Sequence, residues 1–430
     1  MESKNADAIV VSAYGRGHAL AADLALQGMA ITLLDVSHRL GRWSSDDWEG
    51  PFGYFRSEKF SGLQIERLIE EDMPLEVPQG FTVWLKSGPL DLKSSLTQHR
   101  LKSLGVEKEN LAYMSEHDSQ QGQKKESLRT LLENQKFASN WISRLAHFYS
   151  STRMSNHASS LYVGDPVNLT SPFYIRYGTR PGFEKSLNWV SLKGVKVIPK
   201  ADIVDVAFKD MRVVEGLEIR SEHAGLLRAD QVVWCLSSEE TKFVSDRLQK
   251  TLFPHGHIEA DWSWVRYRLR FSALPERDIL PPHFVLIEDL ESPWTHENFS
   301  IVRRTTLADC FDIWMCVPSL HRFQKQYLEE RALNWTRNLT ARVPGLDPTV
   351  VEFPQEHHYS YDEIGASRFT IFEESQLKKL DPRKITNWHW DGPEIWKHHS
   401  YESVFASQNK TREAVLNYKT KLDMKKEKKK

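Results

Sequence analysis

The residues best placed to do chemistry lie near the start of the chain, in "AIVVSAYGRGHALAADLALQGMAITLLD" (residues 8–35) and the "DVSHRLGRW" that overlaps its end. Asp35 follows the apolar run "AITLL", and a carboxylate at such a strand end accepts hydrogen bonds from ribose hydroxyls. Arg39 and Arg42 come next, and a guanidinium is the natural partner of a phosphate. The turn "SAYGRG" stands where a dinucleotide-binding unit carries G-x-G-x-x-G. In one register Ser12, Tyr14 and Gly17 fill the three glycine slots. Ser12 and Asp35 are then 23 positions apart, close to the roughly 20 expected between fingerprint and acid. In the other register "GRG", starting at Gly15, supplies the G-x-G and shortens the following helix.

These residues need a particular frame. Residues 8–12 read as a short buried strand, 17–27 as a helix of small residues suited to close packing, and 30–34 as a second strand. The segment 126–150 reads as a long helix, and "ADIVDVAFKD", "MRVVEGLEIRS" and "ADQVVWCLS" as short strands. In "WSWVRYRLRFS", Val265, Tyr267, Leu269 and Phe271 alternate with Arg266, Arg268 and Arg270, which predicts a half-buried strand with a basic outer face. A helix is expected over 322–342 and another closes the chain.

Composition narrows the classes. With 430 residues, two domains are the default. A net charge of −1 excludes a general affinity for nucleic acid, and no apolar run reaches transmembrane length. No signal peptide is read at the N-terminus, so a soluble, cytoplasmic protein is expected. Cys235, Cys310 and Cys316 are too scattered for a disulfide framework or zinc cluster, and read as buried free thiols. The paired histidines at 357–358 and 398–399 lack partners at ligand spacing, so no metal site is expected. Trp388, Trp390 and Trp396 read as packing residues in a chain of 14 tryptophans.

Three blocks in order resemble the flavin amine oxidase superfamily, which includes protoporphyrinogen oxidases and phytoene-desaturase-like enzymes. The first is the opening followed by Arg39, Leu40, Gly41 and Arg42, one glycine short of the family's R-x-G-G-R. The second is "RYGTRPGFEKSLNWVSLKGVKVIPKADIVDVAF", in which the resemblance gives Ile203 a backbone contact to adenine. The third is "ITNWHWDGPE" with "SYESVFASQ", in which Gly392 and Glu402 match the flavin motif.

The resemblance implies an α/β fold. A Rossmann-like FAD-binding domain would draw on residues 1–50, 176–250 and 361–420. An α+β substrate-type domain with an antiparallel sheet would come from 51–175 and 251–360, leaving 421–430 as a solvated basic tail. It implies an FAD-dependent oxidoreductase acting on a small or apolar molecule, with no assignable catalytic residue because the flavin carries the chemistry. Ser12, Tyr14, Gly15, Gly17, Asp35, Arg39, Gly41, Arg42, Ile203, Gly392 and Glu402 are its cofactor residues. The departures support a rival: a pseudoenzyme, serving a protein partner, that keeps the fold with FAD lost. Tyr14 puts a side chain where a backbone should approach pyrophosphate, unless Gly15 lets the chain detour. Pro393 or Glu394 stands near the family's aspartate, and Gln408 replaces a small residue. An NAD(P)-dependent dehydrogenase is a third reading, against which the C-terminal block counts.

Overall fold

The structure is a computed structural model. It describes residues 6–13, 15–40, 75–76, 82–91, 145, 174–175, 179–220, 225–271, 280–304, 310–322, 324–343, 348–352, 370–371, 374–377, 379–380, 384–396 and 401–428. The first elements are β1 (Ala6–Ser12), α1 (His18–Leu26), β2 (Ile31–Asp35), β3 (Leu75–Glu76), β4 (Thr82–Leu85), β5 (Gly88–Asp91) and β6 (Tyr174–Ile175). Next come α2 (Thr179–Leu192), β7 (Lys196–Ile198), β8 (Ile203–Asp210), β9 (Val213–Ile219), β10 (Gly225–Trp234), α3 (Ser238–Val244) and α4 (Asp246–Leu252). The second half holds β11 (Trp262–Phe271), β12 (His283–Ile287), β13 (Phe299–Arg304), β14 (Cys310–Pro318), α5 (Lys325–Arg342) and β15 (Pro348–Glu352). The chain ends with β16 (Thr370–Ile371), α6 (Glu374–Leu377), β17 (Trp388–Trp390) and α7 (Tyr401–Glu427).

The first sheet runs β7-β2-β1-β10-β9-β8, with β17 also on β10. Its β7, β2, β1, β10 and β17 are parallel, while β8, β9 and the first half of β10 form an antiparallel meander. A parallel sheet is covered on both faces, and Ile9, Val10 and Val11 are accordingly fully buried. On one face Ala19, Ala21 and Ala22 of α1 meet Trp189 and Val190 of α2. On the other, Trp234 packs with Val214, Leu217 and Phe253. Since β2 and β10 flank β1 on opposite sides, the topological switch point lies between β1 and β10. Open α/β sheets take their ligands there, beyond the carboxyl ends of the strands.

The second sheet runs β15-β11-β14-β13-β12-β4-β5, with β16 on β11, and only the β4–β12 pair is parallel. Thr370–Ile371, inside the stretch expected in the first domain, thus pairs in the second sheet. Leu328, Ala332, Trp335 and Leu339 of α5 cover Tyr267, Leu269 and Val302 on one face. The expected basic outer face of β11 is not outer. Arg266 is buried, and Asp312 on β14 takes a bidentate contact from Arg268 (2.8 and 3.1 Å) and an ion pair from Arg266 (3.5 Å). Alternation marks the two faces of a strand but carries no information on whether a second layer covers the polar one.

The described basic tail residues 424–428 are exposed, as expected, and they are ordered as helix, since α7 continues to Glu427. Lys419 pairs with Asp7 (2.5 Å) and Lys426 with Asp230 (3.3 Å), which ties the helix to β1 and β10. The three cysteines are free and buried, as read from sequence. No helix of the described residues is long and apolar enough to cross a membrane. Of the expected helix over 126–150, only Leu145 is described; it is helical and buried.

Candidate functional site

The β1–α1 turn is set by two glycines in the left-handed region, Gly15 (φ 80°) and Gly17 (φ 81°). Gly17 caps α1, and a Cβ there would sit 2.7 Å from Cys235 Sγ and 3.1 Å from Val10 Cγ1. Its missing side chain is what lets the helix lie on β1 and the end of β10. Ser12 is buried, and its hydroxyl donates to the Arg16 carbonyl (2.5 Å), which closes the turn. His18, the first residue of α1, is buried with Nδ1 2.7 Å from Ser186 Oγ. Burial pushes its pKa down to about 3, so the helix starts on a neutral ring. Tyr14 lies outside the described residues, as do Gly41 and Arg42.

Asp35 pairs in register with Ser12 across β1 and β2. It is buried, and burial raises its pKa to about 6. Its Oδ1 accepts from the Ser37 amide (3.2 Å) and hydroxyl (2.5 Å). The Ala201 amide donates to the Asp35 carbonyl (2.8 Å), which brings the start of β8, and so Ile203, beside β2. The Ile203 side chain is buried in the core. Arg39 points outward and faces Asp202 at 3.6 Å. The structure therefore gathers Ser12, Asp35 and Ile203 at one end of the crevice and leaves Arg39 on the rim.

The other end was not foreseen. Arg16, between the two glycines, sends its guanidinium across the switch point to Glu240 Oε1 (2.6 Å), with side chains only 11% and 1% exposed. Glu240 is fixed in place by a capping box. Its Oε2 accepts the Ser237 amide (2.7 Å) while Ser237 Oγ accepts the Glu240 amide (2.9 Å). Its neighbour Glu239 pairs with Arg322, which ties α3 to the turn after β14. Glu394 accepts from the Ser238 amide (2.6 Å) and hydroxyl (2.7 Å), and burial pushes its pKa up to about 7. Asp391 is fully buried, raised by burial to about 6, and bonded through Oδ1 to Ser407 (2.5 Å) and Trp396 (3.3 Å). Its Oδ2 has no hydrogen-bond partner among the described residues.

Gly392 has an ordinary φ of −81°. A Cβ there would meet Trp390 Nε1 at 2.4 Å and the Leu236 carbonyl at 2.5 Å, so packing of β17 on the β10 turn explains the glycine. Pro393 brings no amide donor. Glu402 belongs to the first turn of α7, and its side chain lies outside the described residues. "SSEE" carried the capping box openly in the sequence. Nothing in the sequence joined it to Arg16.

The β2 end can accept a hydroxyl through a buried carboxylate, which fits the nucleoside half of a dinucleotide. The β10 end offers a guanidinium already paired with an acid. No protein-family profile matches this chain, and no curated protein matches its sequence. Solved structures do match. Cyclohexylamine oxidase from Brevibacterium oxydans aligns with TM-score 0.55 and 14% identity over 98% of this chain and 100% of that one. The fold is that of the amine oxidases. Putrescine oxidase gives TM-score 0.55 at 13% identity over 96% of this chain and 99% of that one. An oxidoreductase from Methanosarcina mazei gives 0.57 at 14% over 94% and 99%.

Proposed function

We propose that this chain is an oxidoreductase of the amine oxidase type that holds FAD across the β1–β10 switch point. The observation that carries the reading is Asp35, buried at the end of β2 opposite Ser12 and met among the described residues by Ser37. Burying a carboxyl is costly unless hydrogen bonds offset it, and a ribose hydroxyl is a donor that would do so. Ser12 and Gly17 shape the turn beside it, and Ile203 offers backbone at the adenine. In this reading Arg39 stays on the rim of the nucleoside end, while Gly392 and Glu402 mark the flavin end. Bound flavin supplies the hydride acceptor. Cyclohexylamine oxidase and putrescine oxidase share the fold, which makes a small or apolar amine the substrate class to try first. The reading expects purified full-length protein to be yellow and to release flavin on denaturation. A colourless protein that takes up no FAD on reconstitution would remove it.

A second reading, a flavin-free binding protein, is favoured by a different observation. The Arg16–Glu240 pair bridges the crevice, and the buried acids Asp391 and Glu394 stand beside it. In that reading the partner is another protein and no dinucleotide binds.

A further inference from the structure

The two halves of the bridging pair are held very differently. Glu240 is locked by its reciprocal cap with Ser237. Arg16 sits on a turn, with Nε on the Ala13 carbonyl (3.2 Å) and a flexible stem leading to the guanidinium. A rotamer change moves that guanidinium without moving the backbone. Its position is on the strand β1 side of the crevice, in the turn between Gly15 and Gly17. In a glycine-bearing turn of this kind the backbone itself approaches the diphosphate. A guanidinium reaching out of such a turn adds two parallel N–H donors for the same group.

We propose that Arg16 is the diphosphate-binding side chain of this crevice and that Glu240 is the internal anion that holds it when no diphosphate is bound. The inference rests on the dinucleotide reading of the crevice but not on flavin chemistry. It also explains the bridge without abandoning the site: a carboxylate anchored by its own helix cap occupies the guanidinium until a doubly charged group competes for it. The neighbouring charges agree with a site kept in balance internally, because Arg16 acts on both Asp391 and Cys235, and Glu240 acts on Glu394.

Calorimetric titration of the full-length chain with ADP and with adenosine tests this. Glu240→Gln keeps the cap, since glutamine serves at that position of a capping box, and removes the competing charge. It should tighten ADP binding about tenfold, the scale of one charge-assisted hydrogen bond, and leave adenosine unchanged. Arg16→Gln should abolish the preference for ADP over adenosine. If that variant does not fold, Arg16→Lys, which keeps charge but loses the fork, should reduce the preference. Equal ADP affinity in wild type and Glu240→Gln, or a full preference in the Arg16 variants, would overturn the proposal. Binding of neither ligand by any variant would overturn it together with the dinucleotide reading. ADP binding that follows Arg16 in a chain that takes up no FAD would uphold it and remove only the flavin.

Discussion

At the β2 end of the crevice one buried carboxyl, Asp35, is held through a single oxygen by Ser37. At the β10 end, Glu239, Glu240 and Glu394 are each met by protein: Arg322, Arg16 and Ser238. Both ends bury acids, so burial alone does not distinguish a binding site from a structural one. What differs is whether the fold has already supplied the partner. The Glu239–Arg322 pair has its partner built in and serves the fold, whereas Asp35 is assigned to a ligand under the proposed dinucleotide reading. Four substitutions test the contrast.

The largest effect is expected at the support the two ends share. Gly17→Val would force a Cβ to within 2.7 Å of Cys235 Sγ at φ 81°. Overpacking and left-handed strain together should cost roughly 2–5 kcal/mol, read as a lower urea midpoint. A loss below about 1 kcal/mol would mean α1 lifts freely and the turn is not rigid.

The built-in partners come next. Arg322→Met leaves the Glu239 carboxylate buried and unpaired, a change worth about 3 kcal/mol of stability. Unchanged chemical denaturation would show that α3 and the β14 turn are not coupled through this pair. Asp35→Ala should behave in the opposite way. Stability should stay within about 1 kcal/mol, while dinucleotide affinity falls ten- to a hundredfold, roughly 1.5–3 kcal/mol. If stability fell and affinity did not, Asp35 would belong with the structural acids.

The smallest effect concerns pH. Glu394 has its pKa raised by burial from 4.5 to about 7. A raised acid contributes stability that is complete below the unfolded pKa and lost as pH climbs through the folded one. Buried neutral His18, His283 and His389 act oppositely below pH 6.5, so the effect must be read by difference. Glu394→Gln, which can still accept from Ser238, should gain stability relative to wild type between pH 5 and pH 8, on the order of 1 kcal/mol. A pH-independent difference would show that Glu394 does not titrate in that window.

Much of the first sheet was legible because it is written locally. The apolar run of β1, the alanines of α1 and the spacing from Ser12 to Asp35 each follow from a few consecutive residues. Gly17 could be read for the same reason, since helix–strand packing fixes where a side chain must be missing. The β10 end was hidden because its contacts are long-range. Arg16 and Glu240 are 224 positions apart, and Glu394 meets Ser238 across 156. The arginines of β11 mislead in the same way, because Asp312, which meets Arg268 44 positions further along the chain, cannot be inferred from the strand's own alternation. Tyr14, Gly41, Arg42 and the Glu402 side chain lie outside the described residues, so the reading of the site rests on Asp35 and its neighbours.

Fluorescence titration of the full-length chain with FAD tests the crevice most directly. Saturable, stoichiometric quenching that ADP competes away and Asp35→Ala weakens is the expected result. No saturable binding of FAD or ADP by the wild type, in protein shown to be folded, would contradict a dinucleotide site at the β1–β10 switch point.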